Sequence, residues 1–411
     1  MRCVRVLFAG NFGMNRDYGA QGLVLPLMDK LSRRFDAKYT VLVSERLYHE
    51  NIDFAKEHNF EIVPYPYPLF FLKNKSLAEQ IKTNDVIIDA DGIEFIGNRN
   101  IISRWFHYFA AAHIQGLAEK YGKVYLKSTK SYGPFPHRIY RYFVKKSLNK
   151  LPFVFIRGKK NSKLIKKLKL TVPTYTFPDV SLALSASDRT WAKEYLSKLK
   201  INTSKQIIGL SPSTVISNDN LFHANRHNSC GSNHIKLCQK IIKYFQSQNK
   251  QILLIPHALG DGVNLESCDL ALCKKIFIAL ENKKNVFLLE DTYLDYKQMR
   301  AIVGCLNFYI SARYHAIASA ICMCVPVIAL AWHIKYEDLL SLFSNKFPVI
   351  NCQQQNVDEA LALIRERYLN KGWFDDARIK KDMLTINKQI DNSADIMVNE
   401  IEKFLRKMSN E

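Results

Sequence analysis

Short, wholly apolar runs alternate along this chain with longer stretches in which apolar residues recur every three to four positions. The runs at 4–9, 39–43, 61–63, 85–88, 124–126 and 153–156 predict buried strands. A second series, at 207–210, 251–255, 285–289, 306–310 and 327–331, predicts the same. Helical spacing fills the intervals, as in 21–34, where Leu23, Leu27 and Leu31 share one face, and in 102–120, 139–148, 235–247 and 267–281. Strand and helix in regular alternation predict an α/β fold with parallel sheets flanked by helices. A chain of 411 residues exceeds one hydrophobic core, so two domains are expected, 1–186 and 187–375. The amphipathic helices of 376–411 are expected to pack back on the first domain. There is no internal repeat and no low-complexity linker.

Parallel sheets bind ligands outside the carboxyl ends of their strands, so the chemistry is sought there. The run at 306–310 ends in Ser311, Arg313 and His315, followed by a small-residue helix, Pro326, the strand at 327–331, then His333 and Lys335. Two strand ends thus carry an Arg, two His and a Lys toward one crevice. The simpler reading is that Arg313 pairs with an acidic neighbour and His315 caps the helix. The first strand runs into a loop with Gly10, Gly13, Asn15 and Asp17 before a helix, a corner suited to anions. Asp89 and Asp91 sit at i and i+2 after another strand; Asp89 reads as a cap and Asp91 as a candidate base. Arg157 closes a strand just before the helix opened by Ser162, and its planar fork suits a phosphate or carboxylate. Ser211, Ser213 and Thr214 follow 207–210, and His257 follows 251–255. His223, His227 and His234 are too irregularly spaced for zinc, so no metal is expected, and 215–233 reads as a mobile acceptor-side loop.

Charge narrows the partners. With 59 Lys and Arg against 38 Asp and Glu, the net charge of +21 calls for an anionic partner: nucleic acid, membrane lipid or a phosphorylated substrate. No nucleic-acid-binding motif is present, so nucleic acid is set aside in favour of an anionic membrane leaflet. Nine cysteines without a C-x-x-C pair fit reduced core residues. No leader-like start and no apolar run of about 20 residues is seen. The expected location is the cytoplasm, peripheral at the inner membrane face.

Four blocks in order resemble the polysaccharide pyruvyltransferase family. They are Ser131-Tyr132-Gly133-Pro134-Phe135, Arg157 with Ser162, Pro178-Asp179-Val180-Ser181-Leu182, and Ser311-x-Arg313-x-His315 with Val325-Pro326-Val327-Ile328-Ala329-Leu330 and Lys335. Gly10, Gly13, Asn15 and Asp17 match the family's opening loop more loosely, with Arg16 in place of a Gly. Pro256-His257 and the polar loop after it resemble another family segment. The resemblance implies two Rossmann-like domains facing across a cleft, in the GT-B manner, with acceptor side and Arg157 in the first and donor side in the second. It implies transfer of the pyruvyl group of phosphoenolpyruvate to a sugar of a capsule or exopolysaccharide precursor as a ketal, with no cofactor beyond that co-substrate.

On this reading Arg157 and Arg313 hold the donor's two anionic groups, Lys335 steadies phosphate, and His315 protonates the enol carbon. Ser311, Ser213, Asn15, Asp17, Asp91 and His257 are expected to line the substrates. The acceptor is expected on a polyprenyl diphosphate. Two rivals remain: a GT-B glycosyltransferase using a nucleotide sugar, and a non-catalytic subunit of a glycan assembly complex.

Overall fold

The computed structural model describes residues 3–65, 74–97, 100–217, 229–260 and 267–410. His223 and His227, and most of the loop at 215–233, lie outside the described residues. The chain divides into two compact units. The first comprises Met1–Asn15, Ala20–Ala183 and Ile386–Glu411; the second comprises Arg16–Gly19 and Leu184–Thr385.

The first unit is built on strands β1 (Cys3–Phe12), β2 (Asp36–Ser44), β3 (Glu61–Tyr65), β4 (Val86–Asp89) and β6 (Val124–Lys127), with β5 (Ile93–Glu94) between the last two in sequence. All five pair in parallel, in the order β3-β2-β1-β4-β6. Two smaller parallel pairs complete it: β5 with β7 (Ser131–Tyr132), and β8 (Val154–Arg157) with β9 (Thr174–Phe177). The strands are continuous apolar runs because helices cover both faces, so every side chain of β4 is buried. Residues 386–410 of the terminal helix Asp376–Asn410 belong to this unit, where Asp391 pairs with Lys30 and Asp395 with Arg34 at 2.7 Å.

The second unit holds strands β10 (Ile207–Ser211), β11 (Gln251–Leu254), β12 (Val286–Leu288), β13 (Phe308–Ser311), β14 (Val327–Ala331) and β15 (Val349–Asn351). Its sheet is parallel throughout, ordered β12-β11-β10-β13-β14-β15. Ile208, Leu210, Ile252, Leu254, Ile310 and Ile328 form the centre of its core.

Each sheet starts in the middle, winds outward on one side, then returns to wind the other way. The reversal falls between β1 and β4 in the first unit and between β10 and β13 in the second. At such a point neighbouring loops leave in opposite directions and open a crevice. The Gly10 and Asp89–Asp91 turns flank the first crevice, and the turns after Ser211 and Ser311 flank the second. Four residues of the opening loop, Arg16–Gly19, join the second unit. The Leu259 amide donates to the Arg16 carbonyl at 2.8 Å, and Asp17 forms an antiparallel bridge with Ala258.

Candidate functional site

The loops at the carboxyl ends of the second unit's strands are organised by a residue that the sequence reading passed over. Asp269 opens the helix Asp269–Ile278 and is fully buried. Its Oδ2 accepts from Arg313 Nε at 2.7 Å and from the Ala258 amide at 3.0 Å. Its Oδ1 accepts from Arg313 Nη2, and from the Thr214 amide and hydroxyl at 3.1 and 3.3 Å. One carboxylate therefore ties together the loops after β10, β11 and β13. Arg313 does pair with an acidic neighbour, in bidentate fashion. Burial works against its charge, and Asp269 outweighs that, raising the guanidinium pKa. Nη2 also donates to the Thr214 hydroxyl at 3.1 Å, and Nη1 takes no part in these bonds.

His315 lies in the first turn of the helix Tyr314–Cys322. It is not the cap of that helix: the N-cap is Arg313, whose side chain makes no capping hydrogen bond. Its Nδ1 faces Gly19, where a built Cβ would come within 2.6 Å of Nδ1 and 2.9 Å of Asp17 Oδ1. Only a residue without a side chain lets the chain pass so close. The His315 carbonyl accepts from the Tyr296 hydroxyl at 2.9 Å, and Tyr296 in turn accepts from the buried Arg300 at 3.2 Å. Arg300 and Tyr296 thus position the histidine from behind.

His257 is buried with its Nε2 unpartnered among the described residues. Tyr18 packs edge-on against its ring at 5.5 Å. Burial, followed by the charge environment of His315, Arg313 and Arg300, lowers its pKa to about 3, so the imidazole is neutral. His234 is likewise lowered to about 4 by burial, and its Nε2 accepts the Ser213 amide at 3.2 Å. Lys335 holds its ammonium 4.6 Å from the Trp332 ring centre and 5.5 Å from that of Tyr336, a cation–π seat. Its amide donates to His333 Nδ1 at 3.1 Å.

Several residues expected to line the substrates make hydrogen bonds within the protein. Ser311 closes its own turn with the Arg313 amide at 3.1 Å, Ser213 receives the Val215 amide at 3.3 Å, and Ser211 donates to the Ile255 carbonyl at 2.6 Å. All three are fully buried and serve the backbone. Asn15 belongs to the first unit and donates to the Glu50 carbonyl at 2.7 Å. Arg157 was expected to face a cleft with little packing role. Instead it is buried, its Nη1 bound to Asp179 and its Nε to Ser131 Oγ at 3.1 Å.

The first unit's crevice is a cavity of about 230 Å³ lined by Gly10, Asp89, Asp91, Glu94, His107 and Tyr125 among others. Beneath it, Lys127 bridges Asp89 and Glu94 at 2.8 and 2.7 Å, while Lys130 reaches Asp89 at 2.6 Å. Burial opposes the charge on Asp89, but the two lysines overcome it and hold the carboxyl below the usual range. Asp89 also accepts the Asp91 amide at 3.1 Å, the turn-capping role read from the sequence. Asp91 stands apart from the lysine pairs. Burial pushes its pKa from 3.8 up to about 6; Lys130 opposes this and Asp89 and Glu94 add to it. Among the described residues no group of three His, Cys, Asp or Glu could hold a metal ion.

Two expectations follow. Asp269→Ala leaves the Arg313 charge, the Thr214 hydroxyl and the amides of Thr214, His257 and Ala258 without their partner. Removing one side of such a pair costs about 3–5 kcal/mol, so the midpoint of denaturant unfolding should fall clearly, and an unchanged midpoint refutes the tie. Asp91 binds its proton more tightly folded than unfolded, so it lowers stability as pH rises from about 4 to about 6. Asp91→Asn should therefore raise the melting temperature at pH 8, with the gain vanishing by pH 4.

The comparisons with known proteins agree with this architecture. Anabaena Alr3699/HepE, solved in complex with UDP, superposes with a TM-score of 0.57 at 9% identity, covering 98% of this chain and 100% of its own. UDP-GlcNAc 2-epimerase from Methanocaldococcus jannaschii, in complex with UDP-GlcNAc and UDP, gives 0.57 at 12% identity, covering 94% and 99%. A glycosyltransferase from Rickettsia africae gives 0.56 at 12% identity, covering 98% and 99%. At such identities the likeness is one of fold, that of GT-B glycosyltransferases and epimerases. No curated protein matches the chain by sequence. The family model of the polysaccharide pyruvyl transferases matches residues 29–334, a span that includes Arg157, His257, Asp269, Arg313 and His315, and the chain belongs to that family.

Proposed function

We propose that this transferase moves the pyruvyl group of phosphoenolpyruvate onto two hydroxyls of a sugar in a surface-polysaccharide precursor, forming a ketal. The observation that carries the reading is the second unit's strand-end cluster, with His315 set against Gly19 and Arg313 held by Asp269. Arg313 Nη1 and the Lys335 ammonium supply positive charge for the donor's carboxylate and phosphate. Neutral His257 offers its Nε2 as a hydrogen-bonding group rather than a charge. Asp17 beside His315 orients the imidazole.

The atoms balance as follows. One sugar hydroxyl bonds to C2 of the donor while C3 takes a proton from His315. The C2–O bond to phosphate breaks and the second hydroxyl bonds to C2. Of the two hydroxyl protons, one replaces that given to C3 and the other leaves on hydrogen phosphate. The acceptor sugar is assigned to the first unit's cavity, whose aromatic walls and carboxylates suit a pyranose ring and its hydroxyls. Asp91, titrating near 6, is the group there able to take a hydroxyl proton. A polyprenyl diphosphate as the acceptor's carrier fits the basic charge of the chain.

Thermal shift separates this reading from the nucleotide-sugar alternative. Phosphoenolpyruvate should raise the melting temperature and UDP-sugars should do so less. A strong shift with a nucleotide sugar and none with phosphoenolpyruvate overturns the proposal.

A second expectation concerns His315 itself. His315→Gln should retain phosphoenolpyruvate binding and lose turnover by about 10²–10⁴-fold, the usual worth of general acid catalysis. Gly19→Ala should also reduce turnover, because its methyl displaces the imidazole. If His333→Ala abolishes activity while His315→Gln retains most of it, the acid has been assigned to the wrong strand end.

A further inference from the structure

The first unit carries an apolar surface left exposed among its described residues. In the helix Arg138–Leu148, Tyr140, Val144, Ser147 and Leu148 face inward and are buried, as helical spacing requires. The outward face should then be polar, yet Ile139 is 69% exposed, Tyr142 62%, and Phe143 is exposed beside them. In the neighbouring helix Ile101–Lys120, Ile101 and Ile102 are 63% and 81% exposed, with Phe109 two turns further on. Trp105 joins the two sets, its ring centre 5.4 Å from Phe143 and 5.9 Å from Phe109. These side chains make one continuous patch rather than scattered exposures, which is uncommon on a soluble surface without a partner.

The charge around the patch says what the partner is. The helix Arg138–Leu148 places Arg138, Arg141, Lys145 and Lys146 among the exposed rings and contains no acidic residue. Across residues 120–178 there are sixteen Lys or Arg and no Asp or Glu; Lys127, Lys130 and Arg157 are buried in ion pairs, which leaves thirteen. A protein partner or a second copy of this chain would meet uncompensated repulsion here unless its own surface were acidic. Exposed Ile, Phe, Trp and Tyr interleaved with cations match the boundary of an anionic bilayer, where rings and aliphatic chains enter the acyl region and cations stay at the phosphates. No described helix is long and apolar enough to cross a membrane, so contact would be from one side only.

We infer that the paired faces of helices Ile101–Lys120 and Arg138–Leu148 form a docking surface for an anionic phospholipid membrane. The inference does not depend on which donor the enzyme uses. For a glycan precursor carried on a lipid, this surface brings the first unit to the plane in which that precursor lies.

Vesicle co-sedimentation of the full chain tests it. Wild type should bind vesicles of phosphatidylethanolamine with phosphatidylglycerol, should bind pure phosphatidylcholine far more weakly, and should be released as salt is raised. Lys145→Ala with Lys146→Ala should weaken binding about fivefold for each cation removed. Ile102→Ser, Ile139→Ser and Tyr142→Ser together should reduce it at least tenfold. Because these side chains are exposed, the melting temperature and phosphoenolpyruvate-induced shift of each variant should match wild type. That control separates failure of docking from failure of the transfer reading. Equal binding to phosphatidylcholine, or full binding by the triple variant, overturns the inference. So does a wild-type dimer in lipid-free solution that the triple variant converts to monomer, because the patch would then belong to a second copy.

Discussion

The pairing of Asp269 with Arg313 is the constraint on which the second unit's site depends. Three loops leave the sheet at the carboxyl ends of β10, β11 and β13, and each contributes a donor to that one carboxylate. A buried charge pair of this kind is weak evidence for stability, because desolvation offsets much of the attraction. Its effect here is geometric: it sets the direction of the Arg313 fork and closes the β11 loop next to His257. Placing Asp269 in the first turn of its helix also puts a negative charge where the helix dipole favours one. Arg313 can then be desolvated and remain charged.

Around that tie, several buried groups hold others in place. Arg300 has no outlet to solvent, and its bonds include those to the Leu184 carbonyl, the Ser319 hydroxyl and Tyr296. Tyr296 hands the constraint on to His315. The buried serines complete turns. On the proposed reading the chemistry falls to a small set: one Arg nitrogen, a Lys over aromatic rings, a neutral imidazole, and a second imidazole pressed against a glycine. Preorganised groups of this kind do their work without reorganising during the reaction.

The first unit makes a different use of buried charge. Asp89, Glu94, Lys127 and Lys130 form a closed network beneath the cavity, so their charges are largely spent on one another. Asp91 is two residues from Asp89 and escapes that network, which is why burial rather than pairing governs its proton affinity. Two neighbouring carboxyls are thereby driven in opposite directions, the arrangement by which proteins give one residue type two roles.

Strand and helix placement was legible in the sequence, because buried parallel strands need unbroken apolar runs and helices need a 3.6-residue stripe. The helix predicted at 235–247 and the strand at 327–331 coincide to within a residue with those observed. The family was legible because its motifs fall in order at strand ends, and the cluster around His315 and Arg313 with it. Asp269 was not, because an acidic residue at a helix start reads locally as a cap and its partners lie 44 and 55 residues away. Nor was the fate of Arg157: a strand-end Arg reads the same whether its fork meets a ligand or Asp179. The opening loop shows the same limit. Asp17 and Gly19 follow β1 of the first unit, yet hydrogen bonds to 258 and 259 carry them to the second unit's histidine. Local pattern determines which elements form, because it rests on spacing along the chain. Which charges are spent and which remain is decided by contacts across tens or hundreds of residues, and only the tertiary structure brings those together.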